Sequence, residues 1–179
     1  MWYVVTGEEP MRIVAFLVGI ALMGFLARGQ SVGSNQADAN RALVRRAFQA
    51  FEQGDVKTLN EVFDPKGPIH TPRGKVLLQD GPFTDLKDSC PMCARLSNRK
   101  ITIDLIVAEG DMVAVRSTWG GRYSGTARGV TVADKDVSVT YTNFYRIASG
   151  KIAENWYLTD SLSVAEQLGM KLVPGDAGK

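Results

Sequence analysis

The stretch Ile152-Ala153-Glu154-Asn155-Trp156-Tyr157-Leu158-Thr159-Asp160, entered through Ala148-Ser149-Gly150-Lys151, decides how the rest of the chain is read. It reads as the last strand of a sheet. Alternation puts Ile152, Glu154, Trp156, Leu158 and Asp160 on one face, and Ala153, Asn155, Tyr157 and Thr159 on the other. A two-residue turn at Ser149-Gly150 predicts a hairpin with Tyr145 opposite Glu154, Asn143 opposite Trp156, Tyr141 opposite Leu158 and Val139 opposite Asp160. Carboxylates and an indole among core residues point to a cavity over that face, where a carboxylate can do acid/base chemistry without a cofactor.

Upstream the period is also two. Val137, Val139, Tyr141, Asn143 and Tyr145 form the inward row of the preceding strand. Before it, a loop is expected around Gly120 to Asp136. Ile101, Ile103, Leu105 and Val107 face Val113, Val115, Ser117 and Trp119 across a three-residue turn centred on Gly110, which keeps both apolar rows on one face. Towards the N-terminus the period becomes helical. Val44, Ala47, Phe48 and Phe51 make one stripe that Gly54 ends, and Asp55 caps a short helix carrying Val56, Leu59 and Phe63. Residues 66–79 read as a short extended piece between turns. Residues 80–98 are either a third helix broken near Pro91 or a loop pinned by two cysteines. Helices first and consecutive hairpins after them predict an α+β fold, with helices packed on an antiparallel sheet.

Composition narrows the function classes. A net charge of +2 is too small to argue for nucleic acid or an anionic membrane surface. Met11-Arg12 followed by the apolar run Ile13 to Leu26 reads as a signal peptide, with residues 1–29 removed and translation starting at Met11, or else as an uncleaved anchor. Residues 30–39 are expected to be a linker, 40–173 the domain and 174–179 a flexible tail. This places the protein in an exported compartment, with membrane contact only through that segment. Cys90-Pro91-Met92-Cys93 is then a local disulfide or two buried thiols, with redox activity or an intermolecular metal as the alternatives. Two Cys and one His cannot make an all-cysteine zinc site within one chain. No phosphate-binding Gly-rich loop, metal-ligand cluster or nucleophile motif is present, so no cofactor is expected.

The chain resembles the SnoaL-like polyketide cyclase group of the nuclear transport factor 2-like superfamily from about Asn40 to Val173. The matching pieces are Ala42-Leu43-Val44-Arg45-Arg46-Ala47-Phe48 with Gly54-Asp55, and Val107-Ala108-Glu109-Gly110-Asp111-Met112-Val113-Ala114. Phe144-Tyr145-Arg146-Ile147 follows, then Gly150-Lys151-Ile152, Glu154 with Trp156, and Asp160 before Gln167-Leu168-Gly169. The resemblance implies a cystatin-like cone, in which helices close a curved antiparallel sheet around a mostly apolar pocket. It also implies a pocket Asp acting as general acid/base in ring closure, although many relatives only bind ligands or partners. Asp160 matches the last Asp of the group's Glu-His-Trp-Asp-x-x-Asp ending. Asn155 stands where His is usual and Tyr157 where the earlier Asp is usual. His70 falls where members often carry a pocket His.

Two functional readings follow. In the first, a cofactor-independent cyclase, isomerase or hydrolase acts on an apolar carbonyl-bearing molecule. Asp160 is its acid/base, His70 assists, Asn143 and Trp156 position the carbonyl, and Tyr141, Trp119 and Tyr123 form the wall. In the second, the same fold binds a ligand or partner without catalysis, and Asp160 simply caps the turn that follows it. Glu154 lies six residues from Asp160, about 20 Å along a strand. That is too far for a carboxylate dyad, so Glu154 is read as a rim residue paired with Arg146 or Lys151. A homodimer through the open sheet face is the expected assembly.

Overall fold

Asp55 shows how tightly local chemistry fixes the first elements. In the computed structural model, which describes residues 33–127 and 129–171, its carboxylate accepts the Thr58 N–H at 3.0 Å and starts helix α2 (Val56–Val62). Just before it, helix α1 (33–53) ends at Gly54, whose φ of +73° suits glycine. The apolar stripe of α1 is buried as expected: Val44 and Ala47 are fully covered, with Phe48 and Phe51 nearly so. The helix also begins earlier than its composition suggested. Residues 33–39, expected as a linker, are helical, because Ala37 and Asn40 are buried and the Asn40 amide donates to the Gly110 carbonyl at 3.0 Å. The leader, its apolar run and the tail beyond residue 171 lie outside the described residues.

The sheet has six strands in the order β2-β1-β6-β5-β4-β3. These are β1 (Pro68–His70), β2 (Val76–Leu78), β3 (Leu96–Glu109), β4 (Met112–Ala127), β5 (Val130–Ala148) and β6 (Lys151–Thr159). All neighbours are antiparallel except β1 beside β6. A short helix α3 (Leu86–Ser89) and a 3-10 turn (Cys93–Arg95) precede β3, and helix α4 (Ser161–Gln167) follows β6. Residues 80–98 thus combine both expected alternatives: a brief helix, then a loop closed by the Cys90–Cys93 disulfide. The core lies between α1 and the concave sheet face. Phe48 meets Trp119 at 5.6 Å and Tyr145 at 6.3 Å between ring centres, both edge-on, a geometry that adds to simple area burial.

Three expectations about the strands need correction. Residues 120–136 are not a loop: β4 and β5 stay paired through Gly125–Val132, Thr126–Thr131 and Ala127–Val130. Gly121 and Gly125 there mark close backbone approach, and only Gly129 lies in the tight turn that joins the two strands. The turn at Gly110 is two residues long, with Glu109 opposite Met112, so Leu105 and Val107 turn outward and are more than half exposed. An extra residue, Asp104, then restores the register, setting Ile103 opposite Ser117 and Ile101 opposite Trp119. The bulged Asp104 carboxylate is held by Arg116 at 2.8 Å and Thr118 at 2.9 Å.

The third correction governs the site. Ser149 and Gly150 do make the expected two-residue turn, both with positive φ, and Ala148 pairs with Lys151. Ile147 pairs with Ile152, but Arg146 pairs with Glu154, which leaves Ala153 as an unpaired bulge. From there on every β6 side chain changes face. Tyr145 lies opposite Asn155, Phe144 opposite Trp156, Asn143 opposite Tyr157 and Tyr141 opposite Thr159.

Candidate functional site

The bulge opens one face of β6 onto a cavity of about 450 Å³ between the helices and the sheet. Phe51 and Phe63 line it from the helices, Trp119, Tyr141, Asn143 and Tyr145 from β4 and β5, and Asn155, Tyr157 and Thr159 from β6. The mouth is formed by Leu77, Phe83, Cys90, Pro91 and Met92. Phe83 is fixed there because the Asn60 side chain accepts its N–H at 2.7 Å and donates to its carbonyl at 2.9 Å. The disulfide closes the rim loop from the other side. The size is that of a site for a small organic molecule, mostly apolar with a few polar groups to orient it.

Those polar groups are neutral. Asn143, only 6% exposed, donates to the Asn155 side-chain oxygen at 3.2 Å. Whichever way the two amides are oriented, the pair leaves one carbonyl and one NH₂ for a ligand. Burial raises the pKa of Tyr145, and of Tyr141, so both phenols keep their protons at ordinary pH. The Trp119 indole N–H is already satisfied by Ser117 at 2.9 Å, so its ring acts as wall. Asp88 stands at the rim, but its carboxylate accepts from the Thr84 hydroxyl and from the Thr84 and Asp85 N–H groups. These bonds, the hydroxyl's first, hold its pKa below the usual carboxylate range. Among the described residues no three His, Cys, Asp or Glu side chains gather as a metal-ligand set.

The residues nominated from sequence divide. Asn143, Tyr141 and Trp119 line the cavity. Tyr123 does not: it is buried in a smaller cluster with Leu96, Val137 and Leu168, and its hydroxyl accepts from Arg95 at 3.2 Å. Trp156 is carried by the bulge to the outer sheet face. His70 joins it there, because the parallel pairing of β1 with β6 sets His70 beside Trp156 while Ile69, beside Asn155, faces the cavity. The two rings stack at 4.8 Å and 9°. His70 Nε2 is 2.7 Å from Glu154, whose other oxygen accepts from Arg146 at 2.9 Å. The His70 hydrogen bond, opposed by burial and aided by Arg146, keeps the Glu154 carboxyl below its usual pKa. Asp160 is exposed, and its carboxylate accepts the Ser163 N–H at 2.9 Å as the N-cap of α4. Asp160 and His70 are therefore not brought together, and neither lines the cavity. The residues that reasoning from alternation missed are Asn155, Tyr157 and Thr159. Asn155 and Tyr157 carried a signal of another kind, as the two departures from the motif ending.

A family model for the SnoaL-like polyketide cyclases matches residues 42–168, which spans the later part of α1, the other helices and the whole sheet. The chain belongs to the SnoaL-like polyketide cyclase family. No curated protein matches it. Among solved structures it is similar to wild-type IdmH from Streptomyces antibioticus, a candidate polyketide cyclase, at 28% identity and a TM-score of 0.58, covering 73% of this chain and 99% of that one. AclR from Streptomyces galilaeus, a candidate hydroxylase, is 20% identical with a TM-score of 0.63, covering 75% and 84%. A protein with a ketosteroid isomerase-like fold from Catenulispora acidiphila, solved in complex with trimethylamine, is 18% identical with a TM-score of 0.55, covering 74% and 97%. The last two likenesses establish the fold alone. In this SnoaL-like chain, both departures from the motif ending, Asn155 and Tyr157, face the cavity.

Proposed function

We propose that this SnoaL-like protein binds a neutral, largely apolar small molecule that carries a carbonyl or hydroxyl group. One observation carries the reading: among the described residues the polar side chains that line the cavity are amides and hydroxyls, and the one carboxylate among them, Asp88, is held by its own hydrogen bonds to Thr84 and Asp85. Such a lining hydrogen-bonds a carbonyl without requiring a charge to be desolvated. The probe is 2-acetonaphthone, an aromatic ketone that suits the cavity. Calorimetry on the full chain should give saturable binding. Asn143→Leu should weaken it about tenfold or more, because it removes one partner and strands the Asn155 amide. Undiminished affinity in that variant would sink the reading.

A second reading is catalytic, and the buried phenols favour it. Tyr145, held protonated, can donate to a carbonyl oxygen as negative charge develops there in a cyclisation or isomerisation. In the alternative form of this reading Asp160 is the acid/base. Asp160→Asn keeps a good helix cap while removing the carboxylate. With a substrate in hand, turnover should persist in Asp160→Asn and fall about a hundredfold in Tyr145→Phe. The reverse pattern would restore Asp160 as the acid/base.

Export belongs to the same proposal, supported by the apolar run 13–26 and by a disulfide of the kind that oxidising compartments preserve. Recovery of the native protein only from the cytosolic fraction would refute it. A homodimer through the outer sheet face is supported by Leu105, Val107, Phe144 and Leu158, each about half exposed or more on that face. Sedimentation as a monomer at micromolar concentration would refute that assembly.

A further inference from the structure

Beside the main cavity lies a second pocket of about 170 Å³, beneath α4. Met92, Tyr141 and Thr159 line both, so they form the partition between them. Two alanines make the room, Ala127 on β4 and Ala165 on α4, and Val164, Leu168 and Met170 complete an apolar wall. The pocket is preformed. The Gln167 side chain bonds β5 like an added strand, donating to the Ser138 carbonyl at 2.7 Å and accepting its N–H at 2.8 Å, while Asp160 caps the helix start. An apolar cavity of ~150 Å³ takes up benzene, so this one has the size for a phenyl group.

The partition is also where hydrogen-bonding capacity is left over. Thr159 Oγ1 is buried without a hydrogen-bond partner. The Tyr141 hydroxyl, kept protonated by burial, lies against Thr159 and donates to the weak thioether acceptor of Met92 at 3.9 Å, so the two hydroxyls together hold more donors than good acceptors. A buried hydroxyl without a partner is costly, and a ligand atom that accepts from it removes that cost. Met92 is the flexible member of the partition, an unbranched side chain that repacks readily.

We propose that the two pockets are one ligand site with two chambers. A fused-ring group occupies the large chamber, the ligand's carbonyl sits at the neck against Tyr141 and Thr159, and a second, phenyl-sized group enters the chamber beneath α4. This inference rests on the ligand-binding reading above and extends it to a substrate class: diaryl or aryl-alkyl ketones with two unequal apolar ends.

The test compares 2-acetonaphthone with 2-benzoylnaphthalene by calorimetry on the full chain. The benzoyl compound should bind about tenfold tighter or better, the expected gain from burying one phenyl group. Ala165→Leu and Ala127→Leu, which fill the small chamber from two different elements, should bring that preference to within about twofold and leave 2-acetonaphthone unaffected. Thermal melts establish that each variant is folded, and the wild-type comparison decides the matter even if neither is. Equal affinity of the two ketones for the wild type, or a preference surviving in both folded variants, would overturn the two-chamber site alone. Failure of both ketones to bind would overturn it together with the reading beneath it.

Discussion

Gly121→Val should destabilise the fold by about 3 kcal/mol or more, the upper end of what overpacking costs. A domain of this size should then melt roughly 10 °C lower. The reason is a close backbone approach at a bulge. Two β3 residues, Asn98 and Arg99, face the single β4 residue Gly121, because the register slips between Ser97–Arg122 and Lys100–Gly120. The bulged strand lies so close that a Cβ on Gly121 would sit 2.7 Å from the Ser97 carbonyl oxygen and 3.3 Å from the Leu96 Cβ. Main-chain atoms cannot swing aside as a side-chain tip does. Gly120 is the internal control. A Cβ there meets only the Val137 carbonyl at an ordinary 3.4 Å, so Gly120→Ala should melt within a few degrees of the wild type. Equal melting temperatures for Gly121→Val and the wild type would show that the bulge of β3 does not press on Gly121 as described.

Arg99→Leu should cost about 2–3 kcal/mol and weaken ligand binding as well. The same bulge turns this side chain inward, where its guanidinium donates to four carbonyls. These are Phe51 and Glu52 at the end of α1, both at 3.2 Å, with Cys93 at 3.3 Å and Leu96 at 3.1 Å. A cation at a helix C-terminus is favourable, and hydrogen bonds to a charged group are worth about 1.5–3 kcal/mol each when lost. Phe51 is a wall of the cavity and Cys93 is bonded to the rim residue Cys90, so Arg99 joins the helix wall to the rim loop. Arg99→Lys should recover little, since a point charge cannot span carbonyls from two elements as the planar fork does. Chemical denaturation measures the stability, and 2-acetonaphthone titration measures the pocket. Full rescue by lysine would show that charge alone, and not the fork, is what matters.

Much of the fold was legible because long strands and helices each bury one consistent row. Val113 to Trp119, Val137 to Tyr145 and the α1 stripe Val44 to Phe51 have one apolar face and one polar face, so only one assignment buries them. The capping pair Gly54-Asp55 and the Ser149-Gly150 turn are local chemistry, and both stand where they were read. Register beyond a turn is not local. In β6 both rows are mixed: Trp156 and Leu158 compete with Tyr157 and Thr159 for the inside, and Leu158 ends 61% exposed. Periodicity therefore gives no warning that Ala153 is skipped. Once it is skipped, Trp156 and His70 leave the cavity. Asp160 is settled by a different local rule, because an Asp ahead of a new helix caps it. The rim escaped for another reason: Phe83 is placed by a side-chain contact to Asn60, 23 residues away.

The Ala153 bulge gives β6 an unusual relation to its gene. Loss of that one codon would remove the bulge and leave every later residue opposite its present partner, Glu154 against Arg146 and Asn155 against Tyr145. Asn155, Tyr157 and Thr159 would still face the cavity, and Trp156 and Leu158 would still face outward. In a strand without a bulge the same loss would exchange the pocket lining and the outer sheet face. At this one point of its reading frame, β6 can thus shorten by a residue while both of its surfaces keep their places.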